Sequence, residues 1–416
     1  MANSIVEINK DELNVWLKSN IIDKLAKNLD QPYENITWEV SSPENCFYLS
    51  SVVFLKVNIE GKKILNSAEC QDKCIYLVMK RPGILMASQT LLPIASLFHN
   101  EILFYKFISH NNSEFPRCYY YSEDKNNLNN MVIVMENIGI KGYELCFKSY
   151  DIPFEYVISA MKTIGKFHAM SYAMKKHKPE SFFKIIEDIE ESRYFPGDDF
   201  SKYINLIALR PVEWLRKQNY DKVFVDSMEN YMSNAFTNVM IDAITPIEPL
   251  ATLCHGDFTR NNIFYHKTEN KLESMLIDFA MLRYSSPAID ISTFLYLNCS
   301  NEDRTQRFNE IFEAYHKSLI ENLREEGIDD LEEYSYEKIL KNYKRRAMYG
   351  FIIALFFLPI LRGYTTFSLE DTVNFDYVKA ARSTKKAGGD DLSKEFSEIL
   401  LELRDNGCLH HVCDSL

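Results

Sequence analysis

The stretch "LCHGDFTRNNIFYH" (residues 253–266) places Asp257 five positions before Asn262, and a second carboxylate, Asp278, follows sixteen positions later in "LIDFA". Carboxylates and amide carbonyls are hard oxygen donors, suited to a divalent cation such as Mg2+ that leaves part of its octahedron to phosphates and water. Phosphoryl transfer uses such a set. The cation offsets the charge of the nucleotide phosphates, and a separate carboxylate orients the attacking hydroxyl or accepts its proton. On this spacing Asp257 faces the hydroxyl, and Asn262 and Asp278 take the Mg2+. A carboxylate of ordinary pKa, near 4, serves late in a loose transition state, so its placement matters more than its basicity.

The Asp-x4-Asn order followed by a metal-binding Asp is that of the kinase template, which also needs a strand-borne Lys for the α- and β-phosphates and a Glu on a nearby helix. Residues 35–42, 48–60 and 74–82 are rich in β-branched and aromatic residues and predict three antiparallel strands, with Lys80 near the end of the third. Helical periodicity over 94–109 carries Glu101, and two further strands follow at 118–124 and 130–138. Glu136, Asn137 and Ile138 close the fifth strand before Gly139 and Gly142, where main-chain groups can meet an adenine edge. Upstream, Leu13, Trp16, Leu17, Ile21 and Leu25 share one face of a helix. Beyond 138 the pattern is helical at 154–176, 200–217, 219–243, 301–325, 335–360 and 391–406, with 253–280 an island of short strands.

The fold class read from this order is α+β: a bilobal, protein-kinase-like fold with a five-stranded antiparallel N-lobe, one main helix, and a larger, mostly helical C-lobe. Its expected parts are a helical brace at 1–34, a nucleotide-binding lobe at 35–138, and a lobe at 139–416 with the catalytic loop and acceptor pocket.

Composition excludes several other classes. With 47 basic against 59 acidic residues the net charge is −12, so a phosphate-tracking nucleic-acid surface is not expected. The run "GFIIALFFLPI" (350–360) has about half the ~20 residues of a membrane crossing, and reads as a buried helix. Nine unpatterned cysteines behind an acidic N-terminus without a signal-peptide core point to a reducing, cytoplasmic setting. The tail "CLHHVC" (408–413) matches no standard zinc spacing.

Together "FHNEILFYKF", "VMENIGIKGY", "GKFHAMSYAM", "HGDFTRNNIFY" and "LIDFAMLRYSSPAIDIS" resemble the insect ecdysteroid kinase-like family, a branch of the choline-kinase and aminoglycoside-phosphotransferase group, from about residue 35 onward. The resemblance implies ATP and Mg2+ as cofactors and a small-molecule hydroxyl as acceptor, an ecdysteroid first. Choline or ethanolamine, xenobiotic alcohols, or a binding protein of the same fold without turnover are the alternatives. It implies Asp257 as catalytic residue, Asn262 and Asp278 as Mg2+ ligands, Lys80 with Glu101 as the nucleotide-phosphate pair, and Asp290 as a structural brace of the catalytic loop. His168 and His255 are expected to be packed and hydrogen-bonded. The chain departs from the family at residues 41–51, which lack a glycine over the phosphates, so that Ser50 or Ser51 stands in. Thr259 stands where relatives carry Trp, and Phe279-Ala280 where they carry Phe-Gln. The absence of Arg before Asp257 and of Gly after Phe279 points away from protein-kinase regulation and toward a small-molecule enzyme.

Overall fold

Alternating β-branched and aromatic residues build a five-stranded antiparallel sheet from β1 (Tyr33–Ser41), β2 (Ser50–Gly61), β3 (Lys73–Pro82), β4 (Cys118–Ser122) and β5 (Val132–Glu136), in the order β1-β2-β3-β5-β4. The coordinates are a computed structural model, which describes residues 10–27, 33–42, 50–61, 72–83, 93–109, 112–365 and 376–413. Residues 43–49, most of the segment expected over the phosphates, lie outside the described residues. Along β2 and β3 every second side chain is buried, and Val53, Leu55, Val57, Ile59, Leu77 and Met79 line one face. Leu13 and Leu17 of α1 (Lys10–Leu17), Ile21 and Ile22 of a π-helical turn, and Leu25 of α2 (Asp23–Lys27) cover that face. The apolar stripe of the N-terminal helix therefore exists to close this sheet. The period of two turns Lys80 to the opposite face from Met79.

The chain divides into two units, Met1–Ser88 with Ser109–Ile140, and Gln89–Ile108 with Lys141–Leu416. The first holds the sheet just described. The second begins with α3 (Ile94–Leu103) and continues, after the short strand β6 (Glu144–Leu145), through α4 (Phe154–His177), α5 (Pro179–Asp188), α6 (Asp199–Ala208), α7 (Arg210–Lys217), α8 (Lys222–Met232) and α9 (Asp242–Ile244). Next come β7 (Thr252–Cys254), β8 (Ile263–Lys267), β9 (Leu272–Leu276) and β10 (Arg283–Ser285), the expected island of strands. The remainder is α10 (Ala288–Asn298), α11 (Asn301–Gln306), α12 (Phe308–Glu325), α13 (Tyr336–Arg346), α14 (Met348–Leu361), α15 (Tyr377–Lys386), α16 (Gly389–Asp405) and α17 (His410–Cys413).

Four of the helices expected as single pieces are broken, 219–243 among them, where α8 ends at Met232 before a π-helical stretch and α9. The segment 200–217 splits at Leu209, with Pro211 in the first turn of α7, a position where its missing N–H costs nothing. Residues 301–325 divide at Arg307 and 335–360 at Ala347. The apolar run within α14 is a buried core helix, and among the described residues no helix is long and apolar enough to cross a membrane. Its neighbour α10 is buried along its whole length. The two approach so closely at Gly350 that a Cβ there would stand 2.1 Å from the Ser292 carbonyl carbon, which leaves room only for glycine.

Candidate active site

Two short two-stranded pairings frame the loop that carries Asp257. β7 pairs with β10, bringing Cys254 opposite Arg283, and β8 pairs with β9, bringing Ile263 opposite Leu276. Both the chain entering the loop and the chain leaving Asp278 are thus fixed by main-chain ladders. Between them, Thr259 N–H donates to the Asp257 carbonyl (2.9 Å), and Asn262 N–H to the Thr259 carbonyl (2.9 Å), closing a 3-10 turn over Arg260–Asn262.

Asn262 reaches back into the loop. Its Nδ2 donates to the Asp257 main-chain oxygen and to Asp257 Oδ2, each at 2.9 Å, which turns its Oδ1 to the other side as an oxygen donor. The Asn262 carbonyl accepts from Ile277 N–H at 3.0 Å, tying the amide to the residue before Asp278. Asp278 adopts a left-handed conformation (φ 65°), which Asp and Asn tolerate better than other non-glycine residues. Burial pushes the Asp257 carboxyl up from its ordinary value and the negative charge of Asp278 adds to the rise, while Arg193, His255 and the Asn262 hydrogen bond oppose it. The Asn262 bonds to Asp257 and to Ile277 N–H bring Asp257, Asn262 and the residue before Asp278 together, and neighbouring negative charges are what a divalent cation relieves. The donors are all oxygen, a set that fits Mg2+ rather than zinc.

The loop is held from beneath by Asp290, at the start of α10. Its Oδ2 accepts the N–H of His255 (2.7 Å) and its Oδ1 that of Gly256 (2.9 Å). His168 Nε2 donates to the same carboxylate (3.1 Å), and the Tyr315 hydroxyl meets His168 Nδ1 (2.9 Å). His255 Nε2 donates to the Ile277 carbonyl (2.9 Å), so its Nδ1 is the acceptor for Asp257 N–H (3.3 Å). Both histidines are buried and fully used in bonds that hold the loop. Gly256 has φ 80°, and a Cβ there would lie 1.9 Å from the Met281 carbonyl oxygen, so the loop and the chain after Asp278 meet backbone to backbone.

His168, Cys254 and Asp290 also form a buried trio of metal-ligand types. The sulfur is hydrogen-bonded to the carbonyls of Thr252, Ser285 and Ser286, burial pushes the Cys254 thiol well up, and His168 and Asp290 are bonded to each other and to the loop. The trio is structural. Cys74, Cys146, Cys254, Cys299 and Cys408 are thiols outside any disulfide.

The remaining expected residues fall as follows. Lys80 lies on β3, opposite Val52 and Ile133, in the first unit. Glu101 is buried on α3, in the second. Ser50 opens β2 opposite Pro82 and is buried. Glu136 ends β5 with its N–H on the Arg117 carbonyl, Asn137 N–H bonds the Tyr76 carbonyl, and Ile138 is buried at the start of a 3-10 turn.

A group that the sequence pattern does not single out lies beside this site. Glu191, in the loop after α5, accepts the N–H groups of Ser192, Arg193 and Tyr194 through Oε1 (3.0, 2.8 and 2.9 Å) and pairs with the buried Arg283 of β10 (3.1 and 3.3 Å). Burial alone would push the Glu191 carboxyl up, but Arg283 and the N–H groups of Tyr194 and Arg193 together hold it below its ordinary 4.5. A depressed carboxyl contributes stability that is present above the unfolded pKa and lost as pH falls through the folded one. Glu191→Gln is therefore expected to be less stable than the wild type at pH 7 by about 1–2 kcal/mol, a range that discounts for the one-third exposure of Glu191. The gap narrows as pH falls below the ordinary carboxylate range and through the depressed folded pKa, and urea midpoints along a series of falling pH check it.

A fold of antiparallel sheet and helices with a clustered Asp, Asn and Asp is compared most usefully at the level of family. A family model described as "Ecdysteroid kinase-like family" matches residues 47–328. The class is that of small-molecule kinases, with the α+β, protein-kinase-like fold. The chain belongs to the ecdysteroid kinase-like family. Among solved structures it is similar to an ethanolamine kinase from Plasmodium vivax (14% identity, TM-score 0.45, covering 98% of this chain and 97% of that one). It is also similar to a microcompartment-associated aminopropanol kinase (12%, 0.37, 93% and 98%) and to an aminoglycoside-3'-phosphotransferase of type VIII (12%, 0.31, 75% and 94%). The comparison with curated proteins gave no match.

Proposed function

We propose that the protein transfers the γ-phosphoryl group of ATP, with Mg2+, to a hydroxyl of a small molecule, an ecdysteroid alcohol being the acceptor that the family name suggests. The observation that carries this reading is the Asn262–Asp257 hydrogen bond beside Asp278, which leaves one amide oxygen and one carboxylate for the cation and a second carboxylate for the hydroxyl. Asn262 and Asp278 would hold Mg2+, whose charge offsets that of the phosphates when bound. Asp257 orients the acceptor hydroxyl and takes its proton as the oxygen bonds to phosphorus. Lys80 and Glu101 keep the nucleotide-phosphate role, and Ser50 the place of the missing glycine. Because the N–H groups of Glu136 and Asn137 are engaged within the sheet, a purine edge falls to the main chain of Ile138.

Purified protein incubated with ATP, Mg2+ and a panel of ecdysteroids, choline and plant alcohols should release ADP and add one phosphate to the mass of one acceptor class. ATP and Mg2+ binding without transfer to any member of the panel would favour a binding protein of the same fold.

A further inference from the structure

The loop between α5 and α6 carries a cation that the site so far does not use. Arg193 is half-buried, and among the described residues no carboxylate lies within ion-pair distance of it. Its guanidinium is instead laid against aromatic rings, 5.5 Å from the Phe357 centroid and 5.8 Å from those of Phe200 and Tyr194. An arginine stays charged at every physiological pH, so a fixed positive charge lies against these rings.

The backbone beneath Arg193 is locked to the segment that follows Asp278. Asn100, fully buried on α3, brackets Glu190 by donating to its carbonyl (2.8 Å) and accepting its N–H (2.9 Å), and the same amide nitrogen reaches the Ala280 carbonyl (3.4 Å). Ser192 Oγ contacts Met281 Sδ at 3.2 Å, and the Met281 carbonyl is the group that meets Gly256. Glu191 takes the N–H groups of Ser192, Arg193 and Tyr194 and pairs with Arg283, so the stretch is tied as a unit to the chain that follows Asp278. Through Ser192, Met281 and Gly256 the Arg193 segment packs against the loop that carries Asp257, and the Arg193 charge opposes the rise of the Asp257 carboxyl.

From this arrangement we infer that Arg193 selects the acceptor by charge: a fixed guanidinium over an aromatic wall beside Asp257 admits an alcohol without positive charge and repels an ammonium alcohol. The inference rests on the proposed phosphotransfer at Asp257. Its physical basis is that like charges set close together disfavour the wrong partner, while the rings offer apolar area to a neutral one. Arg193 is thus a specificity-determining residue, and its position is set by Asn100, Glu191 and Arg283.

The test uses two acceptors of the same shape, choline and 3,3-dimethylbutan-1-ol, which differ by a quaternary nitrogen in place of a carbon. The wild type should favour the neutral alcohol in kcat/KM. Arg193→Met should move the ratio toward choline by roughly tenfold, and Arg193→Lys should leave it near the wild-type value. An Arg193 that served the transferred phosphate would lower transfer to both alcohols equally and leave the ratio fixed, which refutes the inference, as does a wild type that prefers choline. Ligand-observed NMR with the same two alcohols reads the preference without turnover. Loss of transfer with the binding preference intact therefore counts against the proposed function alone, and absence of any binding preference counts against Arg193.

Discussion

Asp257→Asn protein should bind Mg2+ and ATP as the wild type does while its phosphate transfer falls by roughly 10³-fold, the scale on which a positioned general base acts. The substitution is chosen for what it keeps. An amide oxygen at position 257 still accepts the hydrogen bond from Asn262 Nδ2, so the proposed metal ligand stays placed and the main-chain bond from the same nitrogen is untouched. What disappears is the charge that draws the acceptor proton. Nucleotide binding by a fluorescent ATP analogue and ADP release on the true acceptor measure the two quantities separately. Transfer at the wild-type rate would remove Asp257 from its role.

Asp278→Asn should have the opposite signature: ATP binding loses its dependence on Mg2+, with affinity in the presence of the cation lower by roughly 100-fold, because a charged oxygen ligand becomes a neutral one. Asparagine is preferred to alanine here because position 278 sits at φ 65°, where a residue without a polar side chain would add backbone strain to the effect being measured. Titrating Mg2+ at fixed ATP analogue in both proteins gives the result directly. Unchanged Mg2+ dependence would place the cation elsewhere.

The candidate residues and the sheet leave different marks in the sequence. Asp257, Asn262 and Asp278 announce themselves by spacing, and the strands of the sheet by a period of two that survives because one face of β2 and β3 is buried and the other is not. Helix α10, whose start at Asp290 the family resemblance implies, gives no helical period of its own for the converse reason. All eleven of its residues are buried, so "AIDISTFLYLN" has no polar side and no periodicity to read. The breaks at Leu209 and Ala347 were missed differently: the apolar pattern runs on across them, and only Pro211 marks the first. Arg193 lies in "EESRYFPGDD", a polar, turn-rich stretch that reads as a plain loop. Its surroundings come from Asn100, ninety positions upstream of Glu190, and from Arg283, ninety positions downstream of Arg193. Side-chain partners that distant leave no local pattern.

The bonds from His255 and Gly256 to Asp290 give the catalytic loop an unusual standing for irregular backbone. Loop amides ordinarily trade their hydrogens with solvent in brief local openings, but these two are released only when the first turn of a wholly interior helix lets go. Deuterium uptake at positions 255 and 256 therefore keeps time with the deepest part of the second unit, and reports on its cohesion from beside Asp257.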